Sequence, residues 1–142
     1  MSDLIICGVD GSEAAGRVLD TARWLTDALS ARLLVIRAAV GELQRQADEE
    51  VREVVGDAPA EVRIVDGPAA DAIVDAAAEE DAALVVVGSR GRGALRAALL
   101  GSVSHEVAAR SRIPVIVVPT GSQDGSAAGA AGADGSVVCG VD

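Results

Sequence analysis

Residues 85–104 read VVVGSRGRGALRAALLGSVS. An apolar, β-branched triplet runs directly into four glycines, three arginines and three serines. Valine is stiff at χ1 and suits a pleated, buried strand. Glycine lacks a Cβ and admits positive φ, so residues 88–93 can bring backbone N–H groups close to an anion. Gly101-Ser102 then opens a helical pattern, GSVSHEVAARS. A helix start offers free N–H groups and the positive end of the dipole, which together favour phosphate. One loop and one helix start can therefore close around a polyphosphate, with a hydroxyl from Ser102 and charge from Arg90, Arg92 or Arg96. Spacing alone leaves a second reading open, in which the glycines only shape a long turn.

The rest of the chain gives this loop its frame. DLIICGVDG (3–11) is an apolar run stopped by Asp and Gly, a strand buried on both faces. SEAAGRVLDTARWLTDALSA (12–31) follows, with Ala14, Val18, Ala22, Leu25 and Leu29 at helical spacing and Ser12 as N-cap. The single Trp, Trp24, falls in this helix and reads as packing rather than ligand contact. RLLVIRAAV (32–40) is a second strand. The helix ELQRQADEEVREVVGD (42–57) has a thin stripe of Leu43, Ala47, Val51 and Val54 and ends at Gly56. AEVRIVDG (60–67) is a third strand, and PAADAIVDAAAEED (68–81) a helix with Ile73, Ala76 and Ala77 inward. AALVVVG (82–88) and IPVIVVP (113–119) complete five strands. Alternation at this spacing predicts right-handed βαβ crossovers and a parallel sheet with helices on both faces. Ligands of such sheets bind at the carboxyl ends of the strands, where the strand order switches. Two strand ends carry unusual chemistry, GVDGS (8–12) and GSRGRG (88–93).

The chain has 142 residues and a formal net charge of −10. That balance opposes non-specific binding to nucleic acid or anionic membranes. The charge is uneven: residues 88–112 hold arginines 90, 92, 96, 110 and 112 against one acid, Glu106. With no Phe or Tyr the core must be aliphatic, and a ligand has few rings to stack on. Cys7 and Cys139 each lie in an apolar run and read as small buried hydrophobes, not a disulfide framework. No apolar run reaches the roughly 18 residues of a membrane span, and no signal peptide opens the sequence, so a cytoplasmic protein is expected.

Residues 121–136, GSQDGSAAGAAGADGS, have linker composition. Beyond them Cys-Gly-Val-Asp recurs, at 7–10 and 139–142, each time after an apolar β-branched pair. The expected organisation is one domain over 1–120, a linker over 121–136, and the start of a second copy at 137–142.

Two familiar phosphate loops do not fit. A Walker A loop needs Gly-Lys-Ser/Thr, and the chain contains no Lys. A Rossmann G-x-G-x-x-G begun at Gly91 and Gly93 would need Gly at 96, where Arg96 stands.

The spacing G-x2-G-x9-G-S, filled by Gly88, Gly91, Gly101 and Ser102, resembles the nucleotide-binding signature of the universal stress protein family. GVDGS (8–12), VVVGSRGRG (85–93) and LLGSVSHEVAARSRIPVIVVP (99–119) fit the same pattern, and the resemblance spans 3–119. It implies a Rossmann-like, adenine-nucleotide-hydrolase-like sheet of order 3-2-1-4-5, with ATP between the first and fourth strands. It implies that Asp10 lies near the ribose and a possible Mg ion, and that Ala38 meets the adenine through its backbone. Gly88, Gly91, Gly101 and Ser102 match the phosphate binders, with the Ser104 hydroxyl a weaker candidate. It also implies pairing through the last strand, Val115–Val118, as a homodimer or within one tandem chain. Arg37 stands where many relatives have His, and the 41–59 segment is short.

Three function classes follow. The first is a nucleotide-dependent stress-response module that binds ATP or another adenine nucleotide. The second is a slow ATPase or a nucleotidyl- or phosphoryl-transfer enzyme; His105 is the only His, and no carboxylate pair or triad spacing accompanies it. The third is a ligand-free dimerisation domain.

Overall fold

The computed structural model describes residues 3–12, 14–89 and 101–119. Five strands alternate with four helices: β1 (Leu4–Gly8), α1 (Ala15–Leu29), β2 (Arg32–Ala38), α2 (Leu43–Val55), β3 (Glu61–Val65), α3 (Ala69–Glu79), β4 (Leu84–Gly88), α4 (Ser102–Arg110) and β5 (Val115–Val118). The strands form one sheet of order β3-β2-β1-β4-β5, every pairing parallel. The predicted fold class and strand order both hold.

Alternation along each strand sorts the core into two layers. Leu4 and Ile6 of β1, Leu34 and Ile36 of β2, and Val85 and Val87 of β4 pack against Ala70, Ile73, Ala76 and Ala77 of α3 and Val107 of α4. Ile5 and Cys7, Leu33 and Val35, and Val86 pack on the other face against Val18, Leu19, Ala22 and Leu25 of α1 and Val51 and Val55 of α2. β1 is buried along its whole length because it is central and covered twice. Each buried Leu, Ile or Val contributes about 1.5–3 kcal/mol, so an aliphatic core of this kind needs no aromatic ring.

Three expectations from helical spacing are corrected. Leu29, at the end of α1, is 52% exposed, and Leu43, at the start of α2, is 58% exposed. A 15-residue helix is about 22 Å long while a five-residue strand spans about 17 Å, so helix ends overhang the sheet. Val54 is also exposed, and the inward stripe of α2 is Ala47, Val51 and Val55. Trp24 is not a packing residue: it lies on the solvent face of α1, 61% exposed. Gly56 does end α2, at φ +63° and ψ −136°, a region open to glycine because it lacks a Cβ.

Candidate functional site

The chain leaves β1 toward β2 and β3, then crosses back to β4 and β5. The strand order therefore reverses between β1 and β4, and a crevice opens beyond their carboxyl ends. Gly8 ends β1 there. A Cβ at Gly8 would collide with the Ile73 side chain and crowd Val87, so glycine lets α3 close on the sheet just below the crevice.

Asp10 follows, two residues past the strand. Its Oδ1 accepts the Ser12 N–H at 2.9 Å, an Asx turn that aims the chain into α1. The predicted Ser12 cap is displaced by half a turn. The Ser12 hydroxyl accepts the Ala14 N–H at 3.3 Å and its carbonyl accepts the Ala15 N–H at 3.2 Å, while the helix proper begins at Ala15. On the neighbouring strand, Ala38 closes β2 opposite Val65, and the Ala39 N–H donates to the Val65 carbonyl at 2.9 Å.

Gly88 closes β4 opposite Val118. The next carbonyl, Ser89 O, accepts the Gly101 N–H at 2.5 Å and the Ser104 hydroxyl at 2.8 Å. Both bonds bring the start of α4 back to the end of β4. Gly101 is the N-cap, in extended conformation, and the first-turn N–H groups of a helix have no intrahelical acceptor. Ser102 is exposed and Ser104 is buried.

One cleft is lined by Gly8, Asp10, Ala38, Gly88, Ile73 and Ser104, among others. Four site residues predicted from sequence, Asp10, Ala38, Gly88 and Ser104, thus meet in a single place, although they come from three strand ends and a helix. Gly101 and Ser102 stand at the helix start beside it. Gly91 and the arginines 90, 92 and 96 lie outside the described residues. A second cavity, of about 390 Å³, continues over the end of β2 between Gly11, Ala38, Ala39 and the first turns of α2. Its size falls in the range of about 300–1,000 Å³ common for small-molecule sites.

A cluster that sequence reasoning did not assemble borders this cavity. The Arg37 guanidinium donates to Glu50 at 2.5 Å, and Gln46 donates to the other Glu50 oxygen at 2.9 Å. Arg37 is nearly buried, with its side chain 12% exposed. The only signal in the sequence was a cation late in a buried strand.

Other chemistry near the sheet is quiet. The Cys7 thiol, buried beneath α1, is pushed up to about 12 by loss of solvent. Arg110, counted in the positive stretch, pairs with Asp71 of α3 at 2.5 Å and with Glu106 at 2.9 Å. The hydrogen bond to Asp71, then that to Glu106, raises its pKa. The fold thus brings one acid from outside the stretch, Asp71, to a cation of the apparent basic island. His105 is exposed. Among the described residues, no three His, Cys, Asp or Glu side chains gather as a metal cluster, and no helix is long and apolar enough to cross a membrane.

The family model described as the universal stress protein family matches residues 1–119. A universal stress protein of Thermus aquaticus is 35% identical over 136 residues, covering 83% of this chain and 99% of that protein. A longer universal stress protein of Mycobacterium bovis is 40% identical over 87 residues, which cover 61% of this chain and 26% of that protein. A universal stress protein solved in complex with cAMP superposes with a TM-score of 0.66 at 32% identity, covering 84% of this chain and 98% of that one. The Archaeoglobus fulgidus universal stress protein in complex with dAMP shares the fold, with a TM-score of 0.60 at 23% identity and coverage of 83% and 98%. With the family model matching most of its length, the chain belongs to the universal stress protein family.

Proposed function

We propose that this domain binds an adenine nucleotide, ATP with a magnesium ion, in the crevice beyond β1 and β4, and acts in the cytoplasm as a nucleotide-dependent stress-response module. The observation that carries the reading is the convergence of Asp10, Ala38, Gly88 and the start of α4 on one cleft. The parts suit a nucleotide end to end. The cavity over Ala38 and Ala39 offers backbone groups and small side chains to a base. Asp10 is a carboxylate placed to accept from ribose hydroxyls or to share in holding magnesium, which takes one or two carboxylates plus phosphate oxygens. Gly88, Gly91 and Ser102 supply backbone N–H groups and a hydroxyl for phosphates, and Gly101, whose own N–H is held by the Ser89 carbonyl, lets phosphate approach the first turn of α4 closely. The cAMP complex of a relative at 32% identity supports the ligand class. Bound magnesium would neutralise phosphate charge; the chain's own part is to bind and orient.

The sequence shows no carboxylate pair or triad spacing, and its one His, His105, is exposed on α4, which supports a binding module rather than a transferase. The repeated Cys-Gly-Val-Asp and the match to one quarter of a longer relative support the division into a domain at 1–120, a linker at 121–136 and a second copy from 137. β5 is an edge strand, and Val115–Val118 is its pairing surface for a second domain.

The test is calorimetric titration of ATP with magnesium into nucleotide-stripped protein, beside Gly101→Val. Gly101 has φ −71° and ψ 168°, which valine adopts freely, so the substitution adds no backbone strain, and circular dichroism checks that the variant is folded. Binding by the wild type and at least a tenfold loss in the variant is the expected result. A folded, stripped wild type that binds neither ATP nor cAMP rejects the reading in favour of a pairing domain.

A further inference from the structure

The Ser89 carbonyl oxygen holds two hydrogen bonds that close the same gap. The chain leaves β4 at Ser89 and returns at Gly101, whose N–H donates to that oxygen at 2.5 Å. The Ser104 hydroxyl donates to it at 2.8 Å. A carbonyl has two lone pairs, so one oxygen accepts both. Ser104 is 1% exposed, one of only two buried polar residues among those described. Its alternative acceptor, the Gly101 carbonyl, is farther away at 3.2 Å. A hydroxyl has one proton to give, and the shorter bond takes it.

We infer that Ser104 is a positioning residue: its hydroxyl latches the first turn of α4 to the end of β4 and so sets where the phosphate-facing N–H groups stand relative to Gly88 and Asp10. This rests on the nucleotide-binding reading above. It reassigns Ser104, which the sequence marks as a candidate phosphate ligand, to a role behind the surface of the cleft. The burial that removes Ser104 from solvent also makes the latch strong, because a buried hydroxyl without its acceptor is costly. The pull of a helix N-terminus fades within its first turn, and hydrogen bonds weaken steeply off line. A small rotation of α4 therefore weakens contact with phosphates and leaves the base and ribose end, built on β1 and β2, unchanged.

Ser104→Ala keeps the Gly101 bond and fits the same space, so the variant folds. Affinities of wild type and variant for ATP with magnesium and for adenosine, which has no phosphate, separate the two ends of the site. The expected result is a loss of about three- to tenfold for ATP, the scale of one hydrogen bond, with adenosine unchanged. Amide hydrogen exchange in the nucleotide-free variant should quicken at residues 101–105 and not in β2. An unchanged ATP affinity overturns the inference, and so does an equal loss for ATP and adenosine, which a general loosening would give. Failure of the wild type to bind either ligand is a different outcome: it overturns the nucleotide-binding reading and this inference with it.

Discussion

The Arg37 guanidinium sits 2.5 Å from the Glu50 carboxylate and so ties the last turn-out of β2 to the middle of α2. The pair is unequal: the Arg37 side chain is 12% exposed and that of Glu50 is 40% exposed. Removing Glu50 takes its carboxylate away from the Arg37 cation, whereas removing Arg37 leaves Glu50 the bond from Gln46. Arg37→Met leaves a carboxylate that water still reaches, and should lower stability by about 1–2 kcal/mol. Glu50→Gln strands the deeper charge and should cost more. Urea denaturation of both variants checks the order. The reverse order would mean that the pair is held by α2 packing rather than by the buried cation.

Gly8→Ala tests the close approach of α3. The added Cβ meets Ile73 and Val87, so overpacking of about 1–3 kcal/mol is expected. Ile73→Val removes the Cδ1 atom that lies in the way. The double variant should therefore be less destabilised than the two single effects predict together. Additive effects in a double-mutant cycle would show that the strain lies elsewhere.

Cys7 should be inert to alkylation in the folded protein at pH 8, because its thiol is completely buried and titrates near 12. Mass spectrometry after iodoacetamide treatment reads Cys7 separately from Cys139. The same burial sets a pH dependence. An unfolded thiol ionises near 9.0, while the folded one stays protonated to about 12. Burial favours the neutral form, so its contribution is intact below pH 9 and falls as pH rises toward 12. Cys7→Ala should flatten the alkaline slope of stability. Rapid native labelling at pH 8 would contradict the burial.

Asp10 has two separable roles. Its Oδ1 holds the Ser12 N–H, a bond that asparagine can also make. Asp10→Asn should therefore leave the melting temperature nearly unchanged and weaken binding of ATP with magnesium by tenfold or more. Asp10→Ala should lower both. Equal ATP affinity in wild type and Asp10→Asn would remove the carboxylate charge from the site.

Much of this protein is legible in one dimension. The alternation of apolar runs with helical stripes determined five strands, four helices and a parallel sheet, because buried strands and amphipathic helices differ in period. The glycine spacing from Gly88 to Ser102 and the Asp10 turn marked the site proposed above, because backbone approach to an anion leaves glycine as its trace. Tertiary structure decided what packing alone can settle. Both Val54 and Val55 fit a helical stripe, and the position of the sheet turned Val55 inward. Trp24 faces solvent since the inward face of α1 was already filled by aliphatic residues. Ser104 became a latch only when β4 and α4 met at the Ser89 carbonyl, 15 residues away along the chain. Arg37 found Glu50 across 13 residues, and Arg110 found Asp71 across 39. Periodicity is a local property that a sequence displays directly; pairing between distant side chains depends on the register of whole elements, which only the packed sheet defines.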